Sequence, residues 1–264
     1  MDWNKTKTIF IIVFLILDAF LLYQYIDKRS SLDYDYATEP DFQDRLKENG
    51  INVSAVPTDA HSEKYIIAKS KVFKKEDFSS LKTQKMTIND GSSVYATLKV
   101  SYKLSDPKSA DEAEKFVREN VLNGDEYRFW NYSAKDKTIL MSQTYNRKVI
   151  YLNDSGQLKL FLNKQNQIYA YSQTFLSNIE EFKEKEEIIS AMKAVETLFN
   201  KGKLPEKSKI TKVTLGYYTV VPVKTASQVL TPTWHITVDD KNDFFVNAIE
   251  GQIFQVSSDE EKLE

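Results

Sequence analysis

Residues 9–26 read IFIIVFLILDAFLLYQYI, an apolar run broken by a single carboxylate, Asp18, at its midpoint. As a helix rising 1.5 Å per residue the run is about 27 Å long, close to the hydrocarbon thickness of a bilayer. No other stretch of the 264 residues is apolar enough to cross a membrane. The sequence therefore predicts one helix in lipid with a polar, folded chain attached to it. A cleaved signal peptide has a shorter apolar region, about 7–15 residues, ending at a small-x-small site. Here the run leaves through Leu21-Leu22-Tyr23-Gln24-Tyr25-Ile26, which holds no such pair, so the expectation is a retained anchor. Trp3 before the run, with Tyr23 and Tyr25 near its end, suits the aromatic belts of both interfaces. Lys5, Lys7 and the amino terminus precede the run and Lys28 and Arg29 follow it, a slight lean toward an inside amino terminus.

Composition narrows what the outer part does. With 36 basic and 38 acidic residues the chain carries net −2, without a basic stripe for nucleic acid. Cysteine is absent, which excludes a disulfide scaffold, thiolate zinc sites and cysteine catalysis. A surface-exposed domain without disulfides fits a Gram-positive bacterium better than a eukaryotic secretory route. The 33 aromatic residues (3 Trp, 15 Tyr, 15 Phe) are material for one or two cores. Seven glycines are few for loops that cradle phosphate.

Beyond a polar juxtamembrane linker (27–39), Pro40 opens a helix over Asp41–Asn49 that ends at Gly50. Strand patterns follow at Ile51–Val56, Lys64–Phe73 and Lys85–Asn89, with a short helix near Asp77–Leu81. Asn89-Asp90-Gly91 is a hairpin signal leading into the alternating Ser93–Leu104. A pattern then occurs twice. An amphipathic helix at Ser109–Val121 precedes strands at Tyr127–Ser133, Lys137–Tyr145, Arg147–Leu152, Leu158–Leu162 and Gln167–Phe175. A second helix at Lys185–Asn200 precedes strands at Ile210–Val223, Val229–Val238, Asp243–Ile249 and Gln252–Val256. The expected fold class is α+β: an N-terminal transmembrane helix (9–26, after a cytoplasmic 1–8) and two helix-plus-antiparallel-sheet units. Their expected limits are 40–178 and 179–256, followed by an acidic tail at 257–264.

Two segments resemble known families. The opening Met1-Asp2-Trp3-Asn4-Lys5-Thr6-Lys7-Thr8-Ile9-Phe10, running into the span and out through Asp27-Lys28-Arg29, resembles the YycI family of Gram-positive regulatory proteins. Pro232-Thr233-Trp234-His235-Ile236, followed by Phe245-Val246-Asn247-Ala248-Ile249-Glu250-Gly251-Gln252-Ile253, is similar to the end of a PepSY-like repeat. The resemblance implies a negative modulator of the sensor histidine kinase YycG, also called WalK, which controls cell-wall metabolism. It also implies a sister protein, YycH, an amino terminus in the cytoplasm, a folded domain outside, and transmembrane helices that engage the kinase.

Asp18 is the leading candidate site residue. A carboxylate at the bilayer centre costs about 2.5–3.5 kcal/mol on insertion scales, so it is expected to face protein or be protonated. Phe14, Leu15, Leu22 and Tyr25 stand at helical spacings from it and would pack on a partner helix. The partners expected are thus the kinase, YycH, the membrane and, as an open alternative, a second copy; no nucleic acid, metal or cofactor is expected. The bland reading of Asp18 is a tolerated polar residue in an already hydrophobic helix.

His61 and His235 are the only histidines. His235 follows Trp234 in a strand, and alternation sends the two to opposite faces, one core and one surface. His61, in a polar stretch, reads as solvated. Asp239-Asp240-Lys241-Asn242-Asp243 fails as an EF-hand because Phe245 and Gly251 occupy the places that need Gly and Glu. Walker loops, nucleophile elbows and HExxH are missing from the sequence, and no enzyme is expected. The alternative to a regulator is a wall-fragment or peptide-binding module with a groove near Tyr217, Tyr218 and Trp234, positions that are more often core.

Overall fold

The computed structural model describes residues 3–33, 39–53, 56–57, 62–219 and 227–254. The chain divides into two compact units, residues 1–52 with 205–208 and residues 53–204 with 209–264.

The first unit opens with helix α1, Trp3–Asp33, whose 31 residues span about 46 Å. It continues past the apolar run, so the first residues of the expected linker are helical. Within it, Lys7–Gln24 is the one described helix segment long and apolar enough to cross a membrane, and none of its residues is buried. Helix α2, Glu39–Glu48, ends at Gly50, whose φ of +67° is the left-handed turn that glycine accepts freely. Phe42, Leu46 and Ile51 of this unit are buried. The 205–208 segment is tied in by Lys207 N–H to the Asn49 carbonyl (2.8 Å) and by Asn52 N–H to the Ser208 carbonyl (3.0 Å).

The second unit is an α+β assembly. Its strands are β1 (Ser62–Glu63), β2 (Ile66–Ser70), β3 (Gln84–Asn89), β4 (Ser93–Lys103), β5 (Tyr127–Ser133), β6 (Thr138–Tyr145), β7 (Lys148–Tyr151) and β8 (Gln157–Leu162). They continue with β9 (Gln167–Gln173), β10 (Leu176–Glu181), β11 (Glu186–Glu187), β12 (Ile210–Thr219), β13 (Ser227–Val238), β14 (Asn242–Asn247) and β15 (Ile253–Phe254). Helix α3 (Ala110–Asn120) precedes β5 to β9, and helix α4 (Ala191–Asn200) precedes β12 to β15. Helix followed by antiparallel strands thus occurs twice, the order expected of PepSY-like units.

The expected hairpin forms at Asn89-Asp90-Gly91, with Asp90 and Gly91 both at positive φ and Asn89 paired to Ser93. The first core lies between α3 and the sheet. Ala113, Phe116 and Val117 of α3 are buried with Val94, Ala96, Ile139, Met141, Leu158, Leu160 and Ile168, the inward positions of β4, β6, β8 and β9. The Ser109 hydroxyl fixes the start of α3 by accepting the Glu112 N–H (3.4 Å).

The strand path runs β10-β2-β13-β12-β7-β6-β8-β9-β4-β3, with β5 beside β6 and β14 and β15 continuing from β13. Periodicity does not disclose this order. Strand β2 lies antiparallel between β10 and β13, and β7 pairs parallel with β12 at Tyr217↔Ile150 and Tyr218↔Tyr151. A second core, Ile66, Ala68, Ile150, Leu176, Tyr217 and Leu230, draws on both sides of residue 178.

Two elements differ from expectation. Ile51–Val56 forms no strand among its described residues. The helix expected from Lys185 begins at Ala191, because the Ser190 hydroxyl caps it by accepting the Lys193 N–H (3.1 Å). Ile188 and Ile189 are buried without being helical: Ile189 donates its N–H to the Ala248 carbonyl (2.7 Å).

Candidate functional site

In the anchor helix, Phe14, Asp18 and Leu22 are spaced four apart and Leu15 lies three before Asp18, so helical geometry puts them on one stripe. All four are exposed, Phe14 at 60%, Leu15 at 65% and Leu22 at 59%. Tyr25 belongs to the same helix, but its side chain lies outside the described residues. An exposed apolar surface of this kind meets either lipid or another protein.

The second unit carries a groove of about 440 Å³. It is lined by Phe129 and Trp130 of β5, Val149 and Tyr151 of β7, Lys212 to Leu215 of β12, Trp234 of β13, and by Pro57 and Arg147. Its size is that of a ligand pocket. Arg147 sits in the β6–β7 turn with φ of +65°, beside Asn146 at +49°. Among the described residues of the lining the charged ones, Arg147 and Lys212, are both cations. Tyr151 donates its hydroxyl to the Thr214 carbonyl (3.2 Å), and burial pushes its pKa up, so it remains a neutral donor. Gly216 stands where β12 crosses β7: a Cβ there would lie 2.4 Å from both the Val149 carbonyl oxygen and the Tyr151 ring.

The pair Trp234–His235 corrects the expectation that one is core and the other surface. Alternation does separate them, yet both are buried, at 2% and 3% exposure, because both sheet faces are covered. The Trp234 indole N–H is taken by the Ile189 carbonyl (2.9 Å), just ahead of α4. His235 is packed among Trp130 (5.1 Å between ring centres), Tyr151 (5.1 Å) and Phe245 (5.0 Å). Its Nε2 meets the Asp243 carboxylate at 2.7 Å, and the Thr237 hydroxyl donates to the same oxygen (2.8 Å). Burial raises the Asp243 pKa, but these contacts and the nearby charge of Lys212 outweigh it and hold it below the usual range. His235 is thus a held core residue. His61 lies outside the described residues. Asp239 and Asp240 are exposed turn residues at positive φ, and no group of acidic or histidine side chains suited to a metal occurs among the described residues.

The groove is displaced from the one expected near Tyr217, Tyr218 and Trp234. Trp234 borders it, whereas Tyr217 is buried in the second core, its hydroxyl donating to Glu63 (3.2 Å). Trp130 is the groove residue that sequence reading missed. Its signal was local: Arg128-Phe129-Trp130-Asn131-Tyr132 crowds aromatic residues on both faces of one strand. The structure resolves this with a β-bulge between Phe129 and Asn131. The joint between β7, β8, β12 and β13 is polar and buried. Asn153 donates to Gln228 (2.8 Å) and accepts the Ser155 N–H (2.8 Å), while Gln228 donates to the Ser155 hydroxyl (2.9 Å).

A family model described as YycI protein matches residues 34–249. Among solved structures, YycH from Bacillus subtilis is 12% identical with a TM-score of 0.41; the match covers 78% of this chain, which spans 61% of the YycH chain. The C-terminal domain of YpeB from Bacillus megaterium is 14% identical with a TM-score of 0.42, covering 74% of this chain and 88% of that one. A search of curated proteins finds no match. The family match takes in both helix-plus-sheet repeats and runs to the last buried strand, and on that extent the chain belongs to the YycI family.

Proposed function

We propose that this chain is a membrane-anchored, non-enzymatic regulator that binds the sensor kinase YycG/WalK together with YycH and biases the kinase toward its inactive arrangement. The observation that carries the reading is the family match over residues 34–249. The anchor helix, with its exposed stripe of Phe14, Leu15, Asp18 and Leu22, is the surface that would meet the partner helices in the bilayer. Intramembrane hydrogen bonds average only about 0.6 kcal/mol, so Asp18 sets register while the apolar stripe supplies most of the contact. Shared anchoring raises the effective concentration of the partners, and weak helix contacts then suffice. A modulator of this kind acts by its differential affinity for the two kinase states. The amino terminus lies in the cytoplasm and the second unit outside.

The test is Asp18→Leu in the full chain, reading kinase co-purification from native membranes and expression of kinase-controlled genes. Reduced co-purification and a shifted output are expected; unchanged values for both Asp18→Leu and a Phe14→Ala/Leu22→Ala pair would remove the helix from the mechanism. Because the chain has no cysteine, single cysteines introduced before and after α1 report orientation directly by membrane-impermeant labelling.

A further inference from the structure

Four consecutive residues of β12, Lys212, Val213, Thr214 and Leu215, line the outer groove. Side chains alternate across a strand, so four in a row reach one cavity only where the strand presents its edge. The pairing agrees. On the side away from β13, β12 pairs with β7 at Tyr217 and Tyr218 and Gly216 still lies against Val149, but no strand pairs with 210–215 there among the described residues. Open strand edges are normally covered or charged, since they template pairing with another chain. Beside this edge stand the half-buried Phe129 and Trp130, the buried Tyr151, and the two cations Arg147 and Lys212, with no carboxylate in the lining among the described residues.

We propose that this groove takes an extended acidic peptide segment, which adds to β12 as a strand along the 212–215 edge. Its backbone would extend the ladder, its apolar side chains would lie on Phe129 and Trp130, and its carboxylates would meet Arg147 and Lys212. Main-chain bonds supply affinity in this mode and pockets for alternate side chains supply selectivity. Arg147 adds the fork geometry that matches a carboxylate. The Thr214 carbonyl at this edge already accepts the Tyr151 hydroxyl, so the added strand would pair through the other outward-facing backbone groups of 212–215. The proposal needs only the second unit, so it stands or falls separately from regulation of the kinase.

The experiment uses the full chain in detergent and a short fluorescein-labelled peptide alternating valine and aspartate, read by anisotropy. The comparison probes are the same peptide with lysine for aspartate, the acidic peptide N-methylated at alternate residues, and poly(glycerol phosphate) as an anion without a peptide backbone. The acidic peptide is expected to bind at least about tenfold more tightly than the lysine peptide, and N-methylation to abolish the advantage. Arg147→Glu and Lys212→Glu, both at exposed positions, should each weaken it several-fold; the arginine reversal should leave the melting temperature unchanged, whereas the lysine reversal places a second carboxylate near Asp243 and should lower it. Trp130→Ala should weaken it too, but Trp130 also packs on His235, so the charge reversals decide. Equal binding of the lysine peptide, full binding of the N-methylated peptide, indifference to both reversals, or binding of poly(glycerol phosphate) alone would each overturn the proposal.

Discussion

At Gly216 the missing side chain is structural. A Cβ would stand 2.4 Å from the Val149 carbonyl oxygen and from the Tyr151 ring, so β7 and β12 could not keep their parallel pairing. Overpacking of this kind costs about 1–3 kcal/mol, and backbone cannot step aside as a side chain can. Gly216→Ala in the full chain should therefore lower the unfolding free energy, read from urea titration, by an amount at the upper end of that range, while Gly202→Ala, with open space around its Cβ position, should cost less and only through its positive φ. Asp243 offers a test by pH. Its folded-state pKa lies below its unfolded value, because the contacts of His235 and Thr237 and the charge of Lys212 outweigh burial. A depressed carboxylate pKa adds stability above the unfolded value, about 3.9, and that contribution is lost as pH falls through the folded value. Thermal melts should show the wild type above Asp243→Asn at pH 6, with the gap closing as pH drops below about 4. A gap that persists unchanged into acid would mean that the carboxylate charge contributes nothing there.

At the scale of elements, the sequence discloses faces well and partners poorly. The alternation of Val94 and Ala96, or of Leu158, Leu160 and Leu162, identifies buried faces, and those residues are buried. The same alternation is silent on which edge meets which, so β2 between β10 and β13, or β7 running parallel to β12, could not be read from it. A face pattern also cannot say whether the second face is covered. Alternation predicts one of Trp234 and His235 at the surface for that reason, yet both are buried, and Trp130, from a strand about a hundred residues earlier, packs on His235. Helix limits follow capping chemistry more than periodicity. Ile188 and Ile189 continue the apolar spacing of α4, yet Ser190 sets the start. Ser190→Ala should remove the acceptor for the Lys193 N–H and cost about 1 kcal/mol, whereas Ser190→Asp should retain most of the stability. Urea titrations of both variants decide this. A silent alanine would place the determinant of the boundary in the Ile189–Ala248 backbone bond instead.

Over the whole second unit, sequence repetition and physical division do not coincide. Each repeat has a helix and its own antiparallel strands, which suggests two separable pieces at 40–178 and 179–256. The ladder, however, passes through both: β2 and β7, before residue 178, pair with β13 and β12, after it. The second core mixes Ile66, Ala68, Ile150 and Leu176 with Tyr217 and Leu230. Asn153 and Ser155 on one side bond to Gln228 on the other, all of them buried. A fragment beginning at residue 179 would expose the strand edges that β2 and β7 cover and strip Trp130 and Tyr151 from His235 and Phe245. Buried polar groups such as Gln228 would also lose their partners, at about 1–3 kcal/mol each where the site stays dry. Small domains have only about 5–15 kcal/mol of net stability to lose. The fragment 179–256 is therefore expected to lack a cooperative melt and dispersed amide resonances, while residues 40–264 melt in one transition followed identically by Trp fluorescence and far-UV circular dichroism. Trp130 and Trp234, the two tryptophans outside the anchor helix, lie on opposite sides of residue 178, so fluorescence reports on both repeats at once. A fragment that melts cooperatively near the temperature of the longer chain would show that the shared ladder joins the repeats without holding either one up.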